Sequence, residues 1–211
     1  MECNNLQTYL SNSDFDCIGD VARHCDLKKL CIATEESRIF DLIPLFCFDF
    51  VSDVLNNWNI PETLPAPTEE NPTATIPNPD FEKYQALICG GSYTHDGKTY
   101  LNMGLKSVWV YYSYARYLLI NQFNDTANGT VTKQNEFSIP TPLKEITDFS
   151  NKYRAMGKDA FESVQGYLCR NRDQFEKFNS CNCKLDCGCS GSCTCGKTKK
   201  MTGFKFSTVK K

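Results

Sequence analysis

The segment that most constrains the fold is residues 105–123, where apolar side chains cover almost the whole circumference of a predicted helix. One stripe follows three- and four-residue steps, the spacing of a single helix face. Its members are Leu105, Val108, Tyr112, Ala115, Leu119 and Phe123. The other faces hold Trp109, Tyr111, Tyr114, Tyr117 and Leu118, and few positions, such as Arg116, suit solvent. Such a helix must lie at the centre of the fold or be buried between subunits.

A second, longer helix is predicted near the C-terminus, after the Thr141-Pro142 pair that can open it. Its apolar positions alternate between steps of three and four residues, which is typical of a helix that packs through one face. They are Ile146, Phe149, Tyr153, Met156, Ala160, Val164, Tyr167, Asn171, Phe175 and Phe178.

The N-terminal quarter predicts a helical hairpin or a kinked helix. The first helical stripe ends at Pro44, which should break or restart the helix because proline has no backbone N–H. Phe46, Phe50 and Val54 then repeat every four residues toward Trp58. The first stripe consists of Leu27, Leu30, Thr34, Phe40 and Ile43.

Residues 59–80 contain six prolines and few groups to bury, so we interpret them as an extended linker or surface strap. At its end, Asn78 can cap a short helix and Pro79 can occupy its first turn. Gly90-Gly91 should stop that helix.

Two β elements interrupt the helices. Asp96-Gly97 favours a tight hairpin turn within residues 92–102, and Asn128-Gly129 indicates a protruding hairpin or arm within residues 124–141. The predicted fold class is mainly α, an adaptor-like helical bundle with a long C-terminal helix, a small β-hairpin and extended arms. Residues 1–178 form the helical domain, and residues 179–211 form a cysteine-rich tail.

Charge and hydropathy give no support for binding to nucleic acid or to a membrane. The chain has 23 Lys and Arg against 25 Asp and Glu, so no field of one sign attracts nucleic acid or anionic lipid. The N-terminus lacks the features of a secretory signal, and no apolar run approaches the roughly 20 residues that cross a bilayer. We therefore expect folding in a cytoplasm and no contact with a membrane.

Thirteen cysteines fall into two groups. Seven are scattered through apolar or mixed segments and are interpreted as small buried hydrophobes: Cys3, Cys17, Cys25, Cys31, Cys47, Cys89 and Cys169. The other six form three Cys-x-Cys pairs among glycine, serine and asparagine, where packing cannot explain them: Cys181, Cys183, Cys187, Cys189, Cys193 and Cys195.

The six tail cysteines are candidate ligands of structural zinc, because four thiolates satisfy a tetrahedral ion. They could hold one zinc with two spare ligands, or two zincs through shared thiolates. The Cys-x-Cys spacing differs from the usual Cys-x-x-Cys of zinc sites. A reduced tail without metal, or disulfides formed after release into an oxidising medium, are the alternatives.

No catalytic constellation is recognisable. His24 and His95 are the only histidines, and neither lies in a metalloprotease or triad-like context. Gly90-Gly91 does not continue into a phosphate-binding loop. We therefore expect a protein that is not an enzyme, with no catalytic residues and no cofactor apart from the candidate zinc.

Between about residues 25 and 178, the order and spacing of short stretches resemble head-tail connector proteins of tailed phages, particularly the crAss-like group. The stretches are Asp41-Leu42-Ile43-Pro44-Leu45, Ile88-Cys89-Gly90-Gly91-Ser92-Tyr93, Gly97, Gly104-Leu105-Lys106, Tyr111-Tyr112-Ser113-Tyr114-Ala115-Arg116-Tyr117, Asn128-Gly129-Thr130-Val131, Tyr153-Arg154 and Tyr167-Leu168-Cys169-Arg170-Asn171.

The resemblance implies a structural virion protein, assembled in the host cytoplasm into a dodecameric neck ring. That ring would dock beneath the portal, contact other neck or tail proteins, and surround DNA without reading its sequence. Candidate interface residues are Trp109, Tyr111, Tyr114, Tyr117, Leu118, Asn128 and Gly129. The alternative function is an intracellular metal-binding or regulatory protein that acts through the cysteine-rich tail.

Overall fold

The computed structural model describes residues 9–18, 26–65, 75–126, 129–132 and 141–178. The fold is mainly α with small antiparallel strand pairs, as predicted. Its helices are a 3-10 helix Asn12–Ile18, α1 Leu27–Ser37, a π-helical turn Arg38–Leu42, α2 Ile43–Phe46, α3 Phe48–Asn56, α4 Phe81–Cys89, α5 Leu105–Asn121, α6 Leu143–Arg170 and a 3-10 turn Arg172–Gln174. Its strands are β1 Thr63–Pro65, β2 Thr75–Pro77, β3 Gly91–His95, β4 Lys98–Asn102, β5 Phe123–Thr126 and β6 Gly129–Thr132.

Helix α5 lies at the centre of the bundle. The Ser150 hydroxyl of α6 donates to the Ala115 carbonyl at 2.8 Å, and the Trp109 indole N–H donates to the Thr34 carbonyl of α1 at 3.0 Å. Side chains around most of α5 are buried, so its predicted all-round burial is confirmed and is achieved within one chain. The predicted helix is too long at its C-terminal end, because Phe123 lies in β5 and is partly exposed.

Of the two outcomes predicted at Pro44, a restart is confirmed, because α2 begins at Ile43 with Pro44 in its first turn; the backbone does not break there but at Cys47, where φ is 67°. The preceding turn is π-helical, and the Ile43 N–H bonds to the Arg38 carbonyl. This wider turn accommodates a residue that cannot donate a hydrogen bond. Leu27 and Phe40, predicted on the buried stripe, are instead exposed.

The end of α6 also differs from the prediction. The helix stops at Arg170, and a 3-10 turn reverses the chain. Phe175 and Phe178 are still buried, with ring centroids 6.4 and 5.3 Å from that of Phe50 on α3. The spacing of these two residues correctly predicted that they are buried, but it wrongly placed them in the helix. A chain that folds back after the helix can bury the same residues. Phe149, also predicted on the buried stripe, is 52% exposed.

Helix α4 begins two residues later than the predicted cap at Asn78 implies. Asp80 occupies the N-cap position, and the Asn78 side-chain oxygen accepts the Asp80 N–H at 3.1 Å. The predicted stop is confirmed at Gly90, where φ is 78°. A Cβ atom there would lie 2.4 Å from the Asn102 carbonyl oxygen, so only glycine fits this close approach.

The strand pairs account for the predicted β elements. Strands β3 and β4 pair across Asp96-Gly97, whose φ angles of 50° and 74° are those of the expected tight turn. The two ends of the proline-rich strap pair with each other as β1 and β2. In the predicted arm, β5 pairs with β6. Among the described helices, none has the length and hydropathy needed to cross a bilayer.

Candidate functional site

The six tail cysteines lie outside the described residues, as do His24 and Asn128. Within the described ranges, no group of three or more His, Cys, Asp or Glu side chains could hold a metal ion. The zinc site therefore stays a prediction that rests on spacing alone. Zinc content of the full-length chain, purified with reductant and without chelator, tests it directly.

The scattered cysteines are not uniformly buried. Cys31 and Cys47 are half-buried and Cys89 is exposed, so their interpretation as buried hydrophobes is wrong. Cys89 is the last residue of α4, directly before Gly90, and Cys47 lies at the break between α2 and α3. Cys169 is buried as expected, and its sulfur is bonded in a disulfide.

Three of the candidate interface residues belong to the core. Trp109, Tyr114 and Tyr117 are each at most 5% exposed, so they stabilise the monomer and present no surface to a partner. The Tyr117 hydroxyl accepts the Asp26 N–H at 3.1 Å. By contrast, Tyr111 and Leu118 on α5 remain half-buried. Gly129 begins β6.

An apolar surface forms where α5 and α6 meet, and we call it the edge surface: Tyr111, Leu118, Phe149 and Met156. Beneath it, the rings of Tyr114 and Tyr153 meet edge to face with centroids 4.7 Å apart. Leu118 and Phe149 are each four residues from one of these tyrosines, which makes them neighbours on their helix surfaces. Both helices therefore carry apolar side chains beside this ring contact.

A second apolar surface lies on the first helical segment, and we call it the outer α1 surface: Leu27, Ile32, Ile39 and Phe40. All four side chains are between 39% and 62% exposed. Leu27 and Ile32 belong to α1, whereas Ile39 and Phe40 belong to the π-helical turn. Four large apolar side chains exposed along one segment mark a candidate interaction surface more strongly than a single one does.

A charged network lies behind Phe40. Asp41 is only 7% exposed and accepts two hydrogen bonds from Arg116, at 2.6 and 3.2 Å. Arg154 of α6 approaches the same carboxylate at 3.5 Å. The hydrogen bond to Asp41 raises the pKa of Arg116 more than burial lowers it, and burial and Asp41 together raise the pKa of Tyr112. The network ties three helical segments together.

An open cleft of about 830 Å³ lies between α3, α4 and the turn after α6. In it, the Tyr84 hydroxyl donates to Asp53 at 2.6 Å, and the Lys177 ammonium donates to the other oxygen of that carboxylate. Burial raises the pKa of Asp53, but these two hydrogen bonds outweigh it and the pKa is lowered overall. Burial and Asp53 raise the pKa of Tyr84.

Sequence reasoning missed both the network and the cleft. Arg116 was expected in solvent, although an arginine within an otherwise apolar helix signals a buried carboxylate partner. Its partner Asp41 lies 75 residues away, and no local spacing pairs them. The Asp53–Lys177 pair spans 124 residues and is equally invisible to periodicity.

Comparison with known proteins gives one family match. Residues 65–187 match a family of unknown function, DUF6712, which covers more than half of the chain. No curated protein and no solved structure matches the chain.

Proposed function

We propose that this chain, which belongs to the DUF6712 family of unknown function, is a structural subunit of a ring in the head-tail connector of a tailed phage. The ring would dock beneath the portal and extend the channel through which DNA passes. The connector-like stretches in the sequence and the helical fold that carries them support this proposal. Within the described residues, the Asp41–Arg116 and Asp53–Lys177 ion pairs serve structure, because each joins segments that are distant in the sequence.

The observation that carries the proposal is the pair of exposed apolar surfaces on opposite sides of α5. Ser113 faces α1, since its hydroxyl oxygen is 2.7 Å from that of Ser37. Tyr111 comes two residues earlier, which places it about 200° around the helix. The edge surface therefore points away from α1, which together with the π-helical turn after it carries the other apolar surface.

Two different surfaces on opposite sides of a subunit suit head-to-tail association. A twofold dimer uses one surface twice, whereas a ring joins one surface of each subunit to a different surface of the next. On the outer α1 surface, the Phe40 ring lies next to a positive charge, because the Arg116 guanidinium is 5.5 Å from its centroid. The edge surface offers the exposed Phe149 ring together with the half-buried Tyr111, Leu118 and Met156. Joining them would remove from water the apolar groups that one copy leaves exposed.

The test is the mass and shape of the purified full-length chain by light scattering and negative-stain electron microscopy. We expect closed rings that bind a portal. Phe40→Ser, on the outer α1 surface, and Phe149→Ser, on the edge surface, should each give monomers. Mixed together, the two variants should form one-to-one dimers and no rings, because only one intact junction remains between them.

A matched control is Ile76→Ser, which removes an equally exposed apolar side chain from β2 and should leave the ring intact. A chain that stays monomeric at all concentrations and does not bind a portal would contradict the proposal. A different result would contradict the head-to-tail geometry: the unchanged chain forms symmetric dimers, and the two variants stay monomeric both alone and when mixed.

A further inference from the structure

Charge is distributed very unevenly along this chain. The 33 residues after Phe178 contain seven lysines and one acidic residue, a net charge of +6. The first 178 residues hold the other 16 basic and 24 acidic residues, a net charge of −8. The small overall charge therefore hides two oppositely charged parts that attract each other.

The described part of the chain concentrates acidic groups around the 830 Å³ cleft. Its two lysines already have partners, since Lys177 binds Asp53 and Lys83 lies 3.6 Å from Asp80. Three further carboxylates line the cleft and form no salt bridge with any other described residue: Glu82, Asp173 and Glu176. The cleft can accept more positive charge than it contains.

The wall of the cleft also contains aromatic rings of the kind that bind lysine side chains. The Lys83 ammonium lies 4.8 Å from the ring centroid of Tyr84 and 5.3 Å from that of Phe175. Aromatic faces attract ammonium groups, and lysine stems pack on apolar surface while the charged end stays near carboxylates. A basic peptide laid along this cleft would meet both kinds of group.

The chain itself supplies such a peptide close by. Glu176 and Lys177 line the cleft, so the residues after Phe178 start at its border. Eighteen residues separate Phe178 from Lys197. A random-coil chain of eighteen residues spans about 20–25 Å on average, and a group tethered by such a chain has an effective local concentration on the order of millimolar.

We infer that the basic C-terminal segment, residues 197–211, docks in this cleft of its own subunit. Lysines of the segment pair with Glu82, Asp173 and Glu176, and their stems lie against Tyr84 and Phe175. The docked segment neutralises the acidic rim, and it keeps the basic end of the chain from binding nucleic acid or other partners nonspecifically. This inference does not depend on ring assembly.

The test is carbodiimide cross-linking of the full-length protein at low salt, with its Cys169 disulfide intact, mapped by mass spectrometry. The reagent joins a lysine to a carboxylate only where the two are in direct contact. We expect amide bonds from Lys197, Lys199 or Lys200 to Glu82, Asp173 and Glu176. With isotopically light and heavy protein mixed at high salt and then dialysed to low salt, these bonds should join segments of the same isotope.

The double variant Glu82→Lys and Glu176→Lys leaves Asp173 available as a reporter. Cross-linking of the segment to Asp173 should fall about tenfold, because two attractive charges become repulsive. The control pair Asp148→Lys and Asp159→Lys changes net charge equally on α6, away from the cleft, and should leave that yield unchanged. Thermal unfolding of both variants verifies that they fold.

Three results would overturn the inference. The first is that no bond forms between the segment and the cleft. The second is that light and heavy chains are joined as often as like chains, which would place the segment in a neighbouring subunit. The third is an equal fall in the cross-linking yield to Asp173 in both double variants, which would indicate only a general attraction of the segment to an acidic protein.

Discussion

Helices α5 and α1 make an informative comparison, because the more apolar of the two exposes less apolar surface. Every side chain of α5 is buried or half-buried, whereas α1 and the π-helical turn after it expose Leu27, Ile32, Ile39 and Phe40. Helix α5 is covered by α1 and α6, while α1 is covered on one side only. The apolar content of a helix therefore does not show where a protein exposes apolar surface. The position of the helix in the bundle, central or outer, decides this.

The largest effect is expected in the interior of α5. Trp109→Ala removes a fully buried indole and its hydrogen bond to the Thr34 carbonyl. We expect a loss of about 3–5 kcal/mol in the free energy of unfolding, measured by urea denaturation. A loss below about 1 kcal/mol would contradict the distinction between a central α5 and an outer α1, because it would mean that α5 is not tightly packed.

The next effect concerns the charged network that joins α5 to the π-helical turn. Arg116→Ala leaves the buried Asp41 carboxylate with Arg154 alone, at 3.5 Å. We expect a loss of about 2–4 kcal/mol, since a buried charge without its main partner is costly. The double variant Arg116→Ala and Asp41→Ala should be less destabilised than Arg116→Ala, and an additive result would show that the two residues are not coupled.

A smaller, pH-dependent effect is expected at Asp53. Its folded-state pKa is lowered below the unfolded value of about 3.9, so its stabilisation is present above that pH and is lost as pH falls through the folded pKa. Asp53→Asn should therefore flatten the decline in unfolding free energy below about pH 4. An acid limb identical to that of the natural chain would show that the Lys177 and Tyr84 contacts contribute nothing.

The smallest effect on stability belongs to the outer α1 surface. Phe40→Ser should change the free energy of unfolding of a monomer by about 0.5 kcal/mol or less, because the ring is 62% exposed. Denaturation at concentrations where the chain is monomeric measures this value. If the loss matched that of Trp109→Ala, the distinction between the two helices would fail.

Sequence alone predicted features that are encoded locally. The Asp96-Gly97 turn follows from two residues with positive φ, and the burial of α5 follows from its own composition. The helix break at Cys47 and the end of α6 at Arg170 were not predictable, since tertiary packing decides both. The two candidate surfaces needed the structure as well, because only the bundle shows which side of α1 remains uncovered.

The close approach of Gly90 and Gly104 has a practical consequence. A Cβ atom on either residue would lie 2.7 Å from the backbone nitrogen of the other, so the chain leaves the bundle for β3 and returns from β4 at almost the same point. Extra residues spliced in at Asp96-Gly97 would lengthen this excursion without moving its anchor points. The hairpin tip is thus a natural place to graft an epitope or a fluorescent tag.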